Sequence, residues 1–247
     1  MVNENRTNHY IFDLDGTLTP PRSKMLQEMK EFLFRFMKEK AANSKFHLIS
    51  GSDIDKIKEQ TDLWLLNQFN SVHACSGNEV WMNGEIIRTS HWKPSPPLLI
   101  ALKRLVDMSR YENKKTNHIE KRVGSINFSI CGRDSNTKER FNYFNWDIEN
   151  KERKGLVEIL SEMFPDIEFD IGGQISIDIY PKDKNKSQII DTMSFKEPDD
   201  YIYFFGDCII FGNDKSLADR IKQHSLGVSF NVSNWEDKGK ELCLLEH

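Results

Sequence analysis

The stretch IFDLDGTLTPPRSK, residues 11–24, decides how the rest of the chain is interpreted. An apolar run ends in Asp13 and Asp15, and Gly16-Thr17 then interrupts the pattern. Residues i and i+2 of an extended strand project to one side, so the two carboxylates are predicted to emerge together at a strand's carboxyl end. Two anions that close repel each other unless one takes up a proton or a cation lies between them. The pair predicts either shared-proton chemistry or a hard cation such as Mg2+, and a turn capped by the aspartate side chains is the structural alternative.

Composition narrows the class of protein. The 247 residues suffice for one large domain or two smaller ones, and the formal net charge of −4 argues against general binding to nucleic acid or membranes. No apolar run approaches the roughly 20 residues of a membrane span, and the N-terminus lacks a signal-peptide core. The four cysteines fit no metal-ligand spacing, so we expect reduced thiols and a cytoplasmic protein. Residues 245–247 resemble the start of an expression tag and are left out of the fold interpretation.

Strand and helix signals alternate over the first third of the chain. A buried strand is predicted at 9–15, followed by an amphipathic helix and by strands at 46–50 and 72–75. Asp53 is predicted to cap the helix between those two strands. EVWMNGEIIR then indicates a hairpin with a type I′ turn at Asn83-Gly84. This βαβαβ order predicts a parallel sheet with right-handed crossovers.

The pattern changes near residue 88. SHWKPSPPLL concentrates prolines in a way typical of a linker or of a rigid helix start. The strands HIEKRV, SINFSI, IEFDI and ISIDIY have alternating apolar faces, which predicts an antiparallel sheet covered on one side. After residue 184 strand and helix signals alternate again. We therefore predict an α/β protein with a Rossmann-like parallel-sheet core at 1–86 and 184–244, interrupted by an inserted α+β cap at 87–183.

Polar residues follow three of the predicted parallel strands, and ligands of open parallel sheets bind at those carboxyl ends. DLDGT, ISGSD and GDCIIFGND mark the three ends, and a lysine opens the helix that returns to the core. Carboxylates, hydroxyls, backbone amides and one fixed positive charge form the set that phosphoryl transfer requires. Each residue alone has an ordinary explanation as a turn, a cap or a solvated charge. Their order favours a shared function for Asp13, Asp15, Ser50, Gly51, Ser52, Lys186, Asp207 and Asp214.

In that order the sequence resembles the haloacid dehalogenase superfamily of aspartate-nucleophile phosphotransferases. Along nearly the whole chain it resembles the eukaryotic-type phosphomannomutases. The opening DLDGTLTPPRSK is similar to that family's, including the arginine after the prolines, here Arg22. RVGSINFSICGRDSNTKER resembles the family's cap, GGQISIDIYP one of its signatures, and YFFGDCIIFGND its metal loop. The resemblance implies that substrate is bound by Arg22, Arg122, Arg133, Arg140, Ser176 and Asp178.

The resemblance also implies a mechanism and partners. Asp13 attacks a phosphoryl group to form an aspartyl phosphate, and Asp15 serves as acid and then base on the sugar oxygens. Mg2+ is expected on Asp13, Asp15, Asp207 and Asp214, with Lys186 balancing charge. Forked arginines suit the non-reacting phosphate because they bind it bidentately and stay charged. The expected substrate is a hexose phosphate, mannose first, with a hexose 1,6-bisphosphate as intermediate and activator. A homodimer through the cap is consistent with the family.

Two departures concern the core and keep other functions open. Cys208-Ile209-Ile210 and Lys215-Ser216 stand where the family usually has a lysine and threonine and, after the Asn-Asp pair, an acidic residue. Ser50-Gly51 replaces a pair of glycines and is closer to the sugar phosphatases of the superfamily. The alternative is thus a sugar-phosphate phosphatase, in which water is the acceptor. A receiver-type signalling domain comes third, since it needs neither Asp15 nor so long an insert.

Overall fold

The computed structural model describes residues 6–20, 23–196, 198–207 and 212–232. The chain forms two compact units: a core unit, made of the segments up to Thr89 and from Asn185 onward, and a cap unit, Ser90–Lys184. The sequence placed the insert at 87–183. The described residues do not include Arg22, the loop 208–211 in which the sequence departs from the family, or the suspected tag.

The strands and helices alternate in the order expected for an α/β chain with an insert. The strands are β1 Asn8–Asp13, β2 Ser44–Ile49, β3 Ser71–Ala74, β4 Glu79–Met82, β5 Glu85–Thr89, β6 Ile119–Arg122, β7 Ser125–Phe128, β8 Ile167–Gly172, β9 Ser176–Pro181, β10 Tyr201–Gly206 and β11 Gly227–Asn231. The helices are α1 Gln27–Glu39, α2 Ile54–Gln60, α3 Leu63–Leu66, α4 Pro96–Met108, α5 Thr137–Asn150, α6 Glu152–Met163, α7 Ile189–Thr192 and α8 Lys215–Gln223. Across the described ranges, no helix is both long and apolar enough to span a bilayer.

The core unit is built on a seven-stranded sheet with the order β11-β10-β1-β2-β3-β4-β5. The five strands from β11 to β3 are parallel, and β4 and β5 add an antiparallel edge. Asn83 and Gly84 both have positive φ, at 51° and 88°, as the predicted type I′ turn requires. The predicted parallel-sheet core and its hairpin are confirmed.

Both faces of this sheet are covered by apolar residues. Phe12 and Leu48 belong to a cluster on one face that includes Leu33 and Phe36 of α1. Ile11 and Ile49 belong to a cluster on the other face with residues of α7 and α8. Burial on both sides explains why the parallel strands are nearly continuous apolar runs.

A chain of buried histidines crosses the second face of the sheet. His9 Nδ1 lies 3.0 Å from His47 Nε2, and Ser71 Oγ lies 2.7 Å from both His47 Nδ1 and His73 Nε2. At the outer end, His9 Nε2 lies 3.1 Å from Asp200 Oδ2. Burial lowers the pKa of all three imidazoles, that of His73 to about 3. The histidines are therefore held neutral at physiological pH.

The cap unit contains an antiparallel sheet with the order β6-β7-β9-β8. One face carries Ile126, Phe128, Ile177 and Ile179, which are buried in a cluster with residues of α4, α5 and α6. Across strands, Glu120 lies opposite Asn127, and Asn127 lies opposite Asp178, so the alternate residues form a polar face. A sheet covered on one side was predicted, and the structure has one.

The prolines before this sheet start a helix. Ser95 Oγ accepts a hydrogen bond from Leu98 N at 3.4 Å, and Pro96 and Pro97 occupy the first positions of α4. Proline suits that position because its missing N–H has no partner inside the helix. Of the two interpretations of SHWKPSPPLL, the helix start applies.

Candidate active site

The turn after β1 is formed by the backbone. The Leu14 carbonyl oxygen accepts hydrogen bonds from the amides of Thr17, Leu18 and Thr19, and Gly16 N donates to Thr19 O. Gly16 has φ +81°, and a Cβ added there would collide with the Asp207 carboxylate. The close approach of these two segments therefore requires glycine.

Lys186 joins two segments of the chain at the end of β1. It lies in a single 3₁₀ turn, Lys186–Gln188, and is 1% exposed. Its Nζ donates to Asp13 Oδ1 and to Asp214 Oδ1, each at 2.6 Å. Both carboxylates are themselves buried. Lys186 is therefore part of the site and is not a solvated surface charge.

The charges in this cluster do not balance. Burial raises the pKa of the Asp13 carboxyl well above its usual range; Lys186 opposes the shift, and Asp214 and Asp207 increase it. Burial opposes the positive charge of Lys186, but the carboxylates of Asp13 and Asp214 outweigh it and raise the pKa of the lysine. With all four groups ionised, three negative charges face one positive charge. The excess favours a bound cation.

The donor set fits a hard divalent cation. One carboxylate oxygen from each of Asp13, Asp207 and Asp214 lies within 4.8 Å of the other two. Asp13 Oδ2 is buried and has no hydrogen-bond partner among the described residues. Carboxylate oxygens are the ligands that Mg2+ prefers. Asp214 thus both contacts Lys186 and contributes to the candidate metal centre.

Asp15 has different neighbours from Asp13. Its Oδ1 accepts a 2.8 Å hydrogen bond from Gln60 Nε2, and its Oδ2 a longer one, 3.4 Å, from Ser52 Oγ. Its side chain lies outside the carboxylate cluster of Asp13, Asp207 and Asp214. Gln60 and Ser52 orient that carboxylate, and the expectation that Asp15 is a metal ligand stays a prediction. The two aspartates of the opening motif serve separate networks.

The loop after β2 supports this second network. Ser50 Oγ accepts from Ser52 N at 3.0 Å, and Cys75 N donates to Ser52 O at 2.8 Å. Cys75 and Ser76 both have positive φ, at 49° and 60°, an uncommon conformation for non-glycine residues. Ser76 N donates to Ser50 O. This turn holds Ser50-Gly51-Ser52 in place, and Asp53 caps α2 as predicted, accepting from Lys56 N.

Four of the predicted substrate residues meet on the polar face of the cap sheet. Arg133 NH1 donates to Ser176 Oγ at 2.7 Å, and Arg122 NH1 lies 3.6 Å from Asp178 Oδ1. Glu120 lies between the two arginines and accepts from both. Glu120 and these four residues therefore form one connected polar cluster.

Arg140 is oriented differently from the other two arginines. Its Nε donates to Ser135 O and its NH2 to Arg133 O, each at 2.7 Å. It is buried, and its guanidinium stabilises the loop that carries Arg133. The expected direct contact with substrate stays a prediction.

Sequence reasoning missed Gln60, Glu120 and Asn127. Asn127 Nδ2 donates to Asp178 Oδ1 at 2.5 Å. Glu120 stands two residues before Arg122 on one strand, so the period of two places both on the same face, and that signal was available. Gln60 has no such local signal, because its contact with Asp15 spans 45 residues.

Comparison with known proteins decides the family. The family model described as eukaryotic phosphomannomutase matches residues 29–245. The chain belongs to the eukaryotic phosphomannomutase family. Phosphomannomutase 1 from Dictyostelium discoideum is 33% identical over 221 residues, which cover 84% of this chain and 85% of that relative. The resemblance inferred from the motifs is confirmed.

Solved structures show the fold. The C-terminal domain of a C. albicans trehalose-6-phosphate phosphatase has a TM-score of 0.61 at 17% identity, covering 90% of this chain and 77% of that one. A haloacid dehalogenase-like hydrolase from Bacteroides thetaiotaomicron has a TM-score of 0.51 at 14% identity, covering 87% and 85%. At these identities the likeness concerns the fold alone. This phosphomannomutase family member has the haloacid dehalogenase fold that the sequence predicted.

Proposed function

We propose that the protein is a phosphomannomutase that interconverts a hexose 6-phosphate and a hexose 1-phosphate, with mannose as the first sugar to test. The observation that carries the proposal is the polar cluster of Arg122, Arg133, Ser176 and Asp178 on the cap sheet. The core unit already holds a set of residues suited to phosphoryl transfer. A second arginine-rich anion site supports a substrate with two phosphates, as a bisphosphate intermediate requires.

Asp13 is the proposed nucleophile. Its Oδ1 is held by Lys186, and its Oδ2 has no hydrogen-bond partner among the described residues. In the first half-reaction a carboxylate oxygen of Asp13 bonds to phosphorus while the bond from phosphorus to the sugar oxygen breaks. The electron pair stays on the sugar oxygen, which takes a proton from Asp15. The product is an aspartyl phosphate.

Asp15 then reverses its role. Its carboxylate takes the proton from the free hydroxyl of a bound hexose monophosphate. That oxygen bonds to phosphorus while the bond from phosphorus to Asp13 breaks, and the product is the hexose 1,6-bisphosphate. Gln60 and Ser52 hold the Asp15 side chain for both transfers. The bisphosphate then reorients, and its other phosphoryl group passes to Asp13 by the first half-reaction, so a hexose 1,6-bisphosphate is the intermediate and, when added, the activator that phosphorylates the enzyme.

Asp13, Asp207 and Asp214 are the proposed ligands of Mg2+. When bound, the cation supplies positive charge that keeps Asp13 ionised despite its burial and that offsets the charge of the transferring phosphoryl group. Lys186 contributes fixed positive charge at Asp13 Oδ1.

The cap residues are proposed to bind the end of the sugar that does not react. Arg122 and Arg133 bind the distal phosphate, and Ser176 and Asp178 fix the sugar and the arginines. Orientation of a bound reactant accelerates a reaction without any direct part in bond breaking. Cys75 and Cys131 form no disulfide among the described residues, which supports the further proposal of a cytoplasmic location. A homodimer through the cap stays a prediction.

Product identity tests the function. The protein is incubated in Mg2+ with mannose 1-phosphate, with and without glucose 1,6-bisphosphate, and products are followed by phosphorus NMR. We expect mannose 6-phosphate, formed faster with the bisphosphate. If free phosphate forms without mannose 6-phosphate, the protein is a sugar-phosphate phosphatase and not a mutase. That alternative is favoured by the sequence of loop 208–211, which differs from the family, and by Ser50-Gly51. If neither mannose 6-phosphate nor free phosphate forms, both the mutase and the phosphatase are rejected.

A further inference from the structure

Glu120 bridges the two arginines of the cap cluster. Its Oε1 accepts a 3.0 Å hydrogen bond from Arg122 Nε. Its Oε2 accepts from Arg133 Nε at 3.0 Å and from Arg133 NH2 at 2.7 Å. Each oxygen of one carboxylate therefore serves a different guanidinium. Such charge-assisted contacts are shorter and stronger than neutral hydrogen bonds.

The two arginines need a charge between them. Their side chains are only 10% and 6% exposed, and that of Glu120 is 25% exposed. Two poorly hydrated guanidiniums in one cluster repel each other, and a buried charge without a partner is strongly destabilising. Asp178 Oδ1 lies 3.6 Å from Arg122 NH1. Among the described contacts, Glu120 is the carboxylate that joins both arginines.

The bridge leaves donors for a ligand. A guanidinium has five N–H groups, and the described hydrogen bonds of Arg133 use three of them, two to Glu120 and one to Ser176. One N–H on each terminal nitrogen of Arg133 is left. A phosphate monoester can accept from both without displacing Glu120.

We propose that Glu120 is a positioning residue of the phosphate site: it holds Arg122 and Arg133 together before the ligand arrives and sets their spacing for one phosphate group. The inference rests on the proposed function, in which these arginines bind the distal phosphate of a hexose phosphate. The sequence shows only that Glu120 shares a strand face with Arg122. Its role follows from the contacts it makes with two different arginines.

A competing model gives Glu120 the opposite effect. In that model the Glu120 carboxylate binds the two arginines in place of the substrate phosphate, and the phosphate must displace it. Removing the negative charge then strengthens binding. In the positioning model the same change weakens it, because the two guanidiniums separate. The sign of the effect distinguishes the models.

The test compares Glu120→Gln and Glu120→Ala with wild type and with Glu158→Gln, a control at an exposed position on α6 of the same unit. Each protein is assayed with mannose 1-phosphate plus glucose 1,6-bisphosphate, and with acetyl phosphate, which has no distal phosphate. We expect kcat/KM for the sugar phosphate to fall about 10- to 100-fold in both Glu120 variants, the range typical of lost orientation. Acetyl phosphate hydrolysis is expected to stay within about twofold, since it does not use the cap arginines.

The outcomes separate this inference from the proposed function. Unchanged or increased kcat/KM for the sugar phosphate in Glu120→Gln would overturn the positioning role while leaving the mutase intact. Equal losses on both substrates, with a lowered thermal midpoint, would assign Glu120 to folding and also overturn it. A wild-type protein that neither binds nor converts hexose phosphates would reject the proposed function, and the inference with it.

Discussion

Gln60 Nε2 donates a 2.8 Å hydrogen bond to Asp15 Oδ1 across 45 residues of sequence. The same amide group lies 3.3 Å from Ser23 O, and the Gln60 carbonyl accepts from Met25 N at 2.7 Å. The last residue of α2 thus fixes both the proposed acid–base group and the segment that follows it.

Gln60→Leu is expected to slow turnover of mannose 1-phosphate about 10- to 100-fold, because Asp15 loses its orienting donor. Acetyl phosphate should be affected much less, since its leaving group departs without a proton. Steady-state rates on both substrates measure this. Gln68→Leu, at a glutamine that donates only to Trp64 O among the described contacts, is the control. A loss of the same size on both substrates would reduce Gln60 to a purely structural residue.

Asp13→Asn is expected to abolish phosphoryl transfer to every acceptor, because an amide oxygen is a poor nucleophile. Asp15→Asn should still form an aspartyl phosphate from acetyl phosphate but turn over sugar phosphates at least about 100-fold more slowly. Mass spectrometry of acid-quenched protein detects the phosphorylated enzyme. A phosphorylated Asp13→Asn variant would remove Asp13 from its nucleophilic role.

Gly16→Ala is expected to inactivate the enzyme. The new methyl group would overlap the Asp207 carboxylate and shift one of the three candidate metal ligands. Gly84→Ala is a matched control, because Gly84 also has positive φ, 88°, yet nothing lies within 4 Å of its added Cβ. Both changes carry a backbone cost of about 1–2 kcal/mol, but only the first should lower kcat. Equal activity of the two variants would contradict the proposed proximity of Gly16 to the metal centre.

Removal of divalent cations is expected to stop the reaction, because the cluster around Asp13 has more negative charges than positive ones. Dialysis against EDTA followed by assay tests this, and added Mg2+ should restore the rate. Isothermal calorimetry gives a readout that does not depend on activity: Asp214→Asn should weaken Mg2+ binding. Full turnover in excess chelator would contradict the proposed site.

The buried histidines are expected to make the protein sensitive to acid. In the folded state the pKa of His73 is lowered to about 3, so its imidazole stays neutral. In the unfolded chain the same imidazole takes up a proton near pH 6.5. The contribution of each such histidine to the free energy of unfolding is therefore constant above pH 6.5. Below that pH the free energy of unfolding falls by up to about 1.4 kcal/mol per pH unit for each histidine. Urea unfolding between pH 7.5 and 5 measures the slope. His73→Gln should flatten it and the exposed His224→Gln should not; identical slopes in the two variants would exclude this origin.

Local patterns predicted much of this fold. The parallel strands, the Asn83-Gly84 turn and the helix that begins at Pro96 each depend on a few neighbouring residues. The clustering of polar residues at strand ends also followed, because the ends of parallel strands share one edge of a sheet.

Contacts between distant segments were not predictable in the same way. That Lys186 joins Asp13 to Asp214 depends on β1 lying between β10 and β2. A period of two gave the direction of the Asp15 side chain but not its partner, Gln60. Arg140 looks like its neighbouring arginines in sequence, yet backbone carbonyl oxygens accept its hydrogen bonds.

The position of β1 in the sheet has a consequence for biosynthesis. β1 leaves the ribosome before the other described strands, yet one of its two neighbours in the sheet is β10. Lys186, which contacts Asp13, follows that residue by 173 positions. At about 5–20 residues per second, roughly 10 to 35 s pass between the synthesis of Asp13 and that of Lys186. The contiguous Ser90–Lys184 unit is translated entirely within this interval. The nascent chain therefore carries a central strand with one unpaired edge while its insert is completed, and Asp13 gains its lysine only after the insert has been translated.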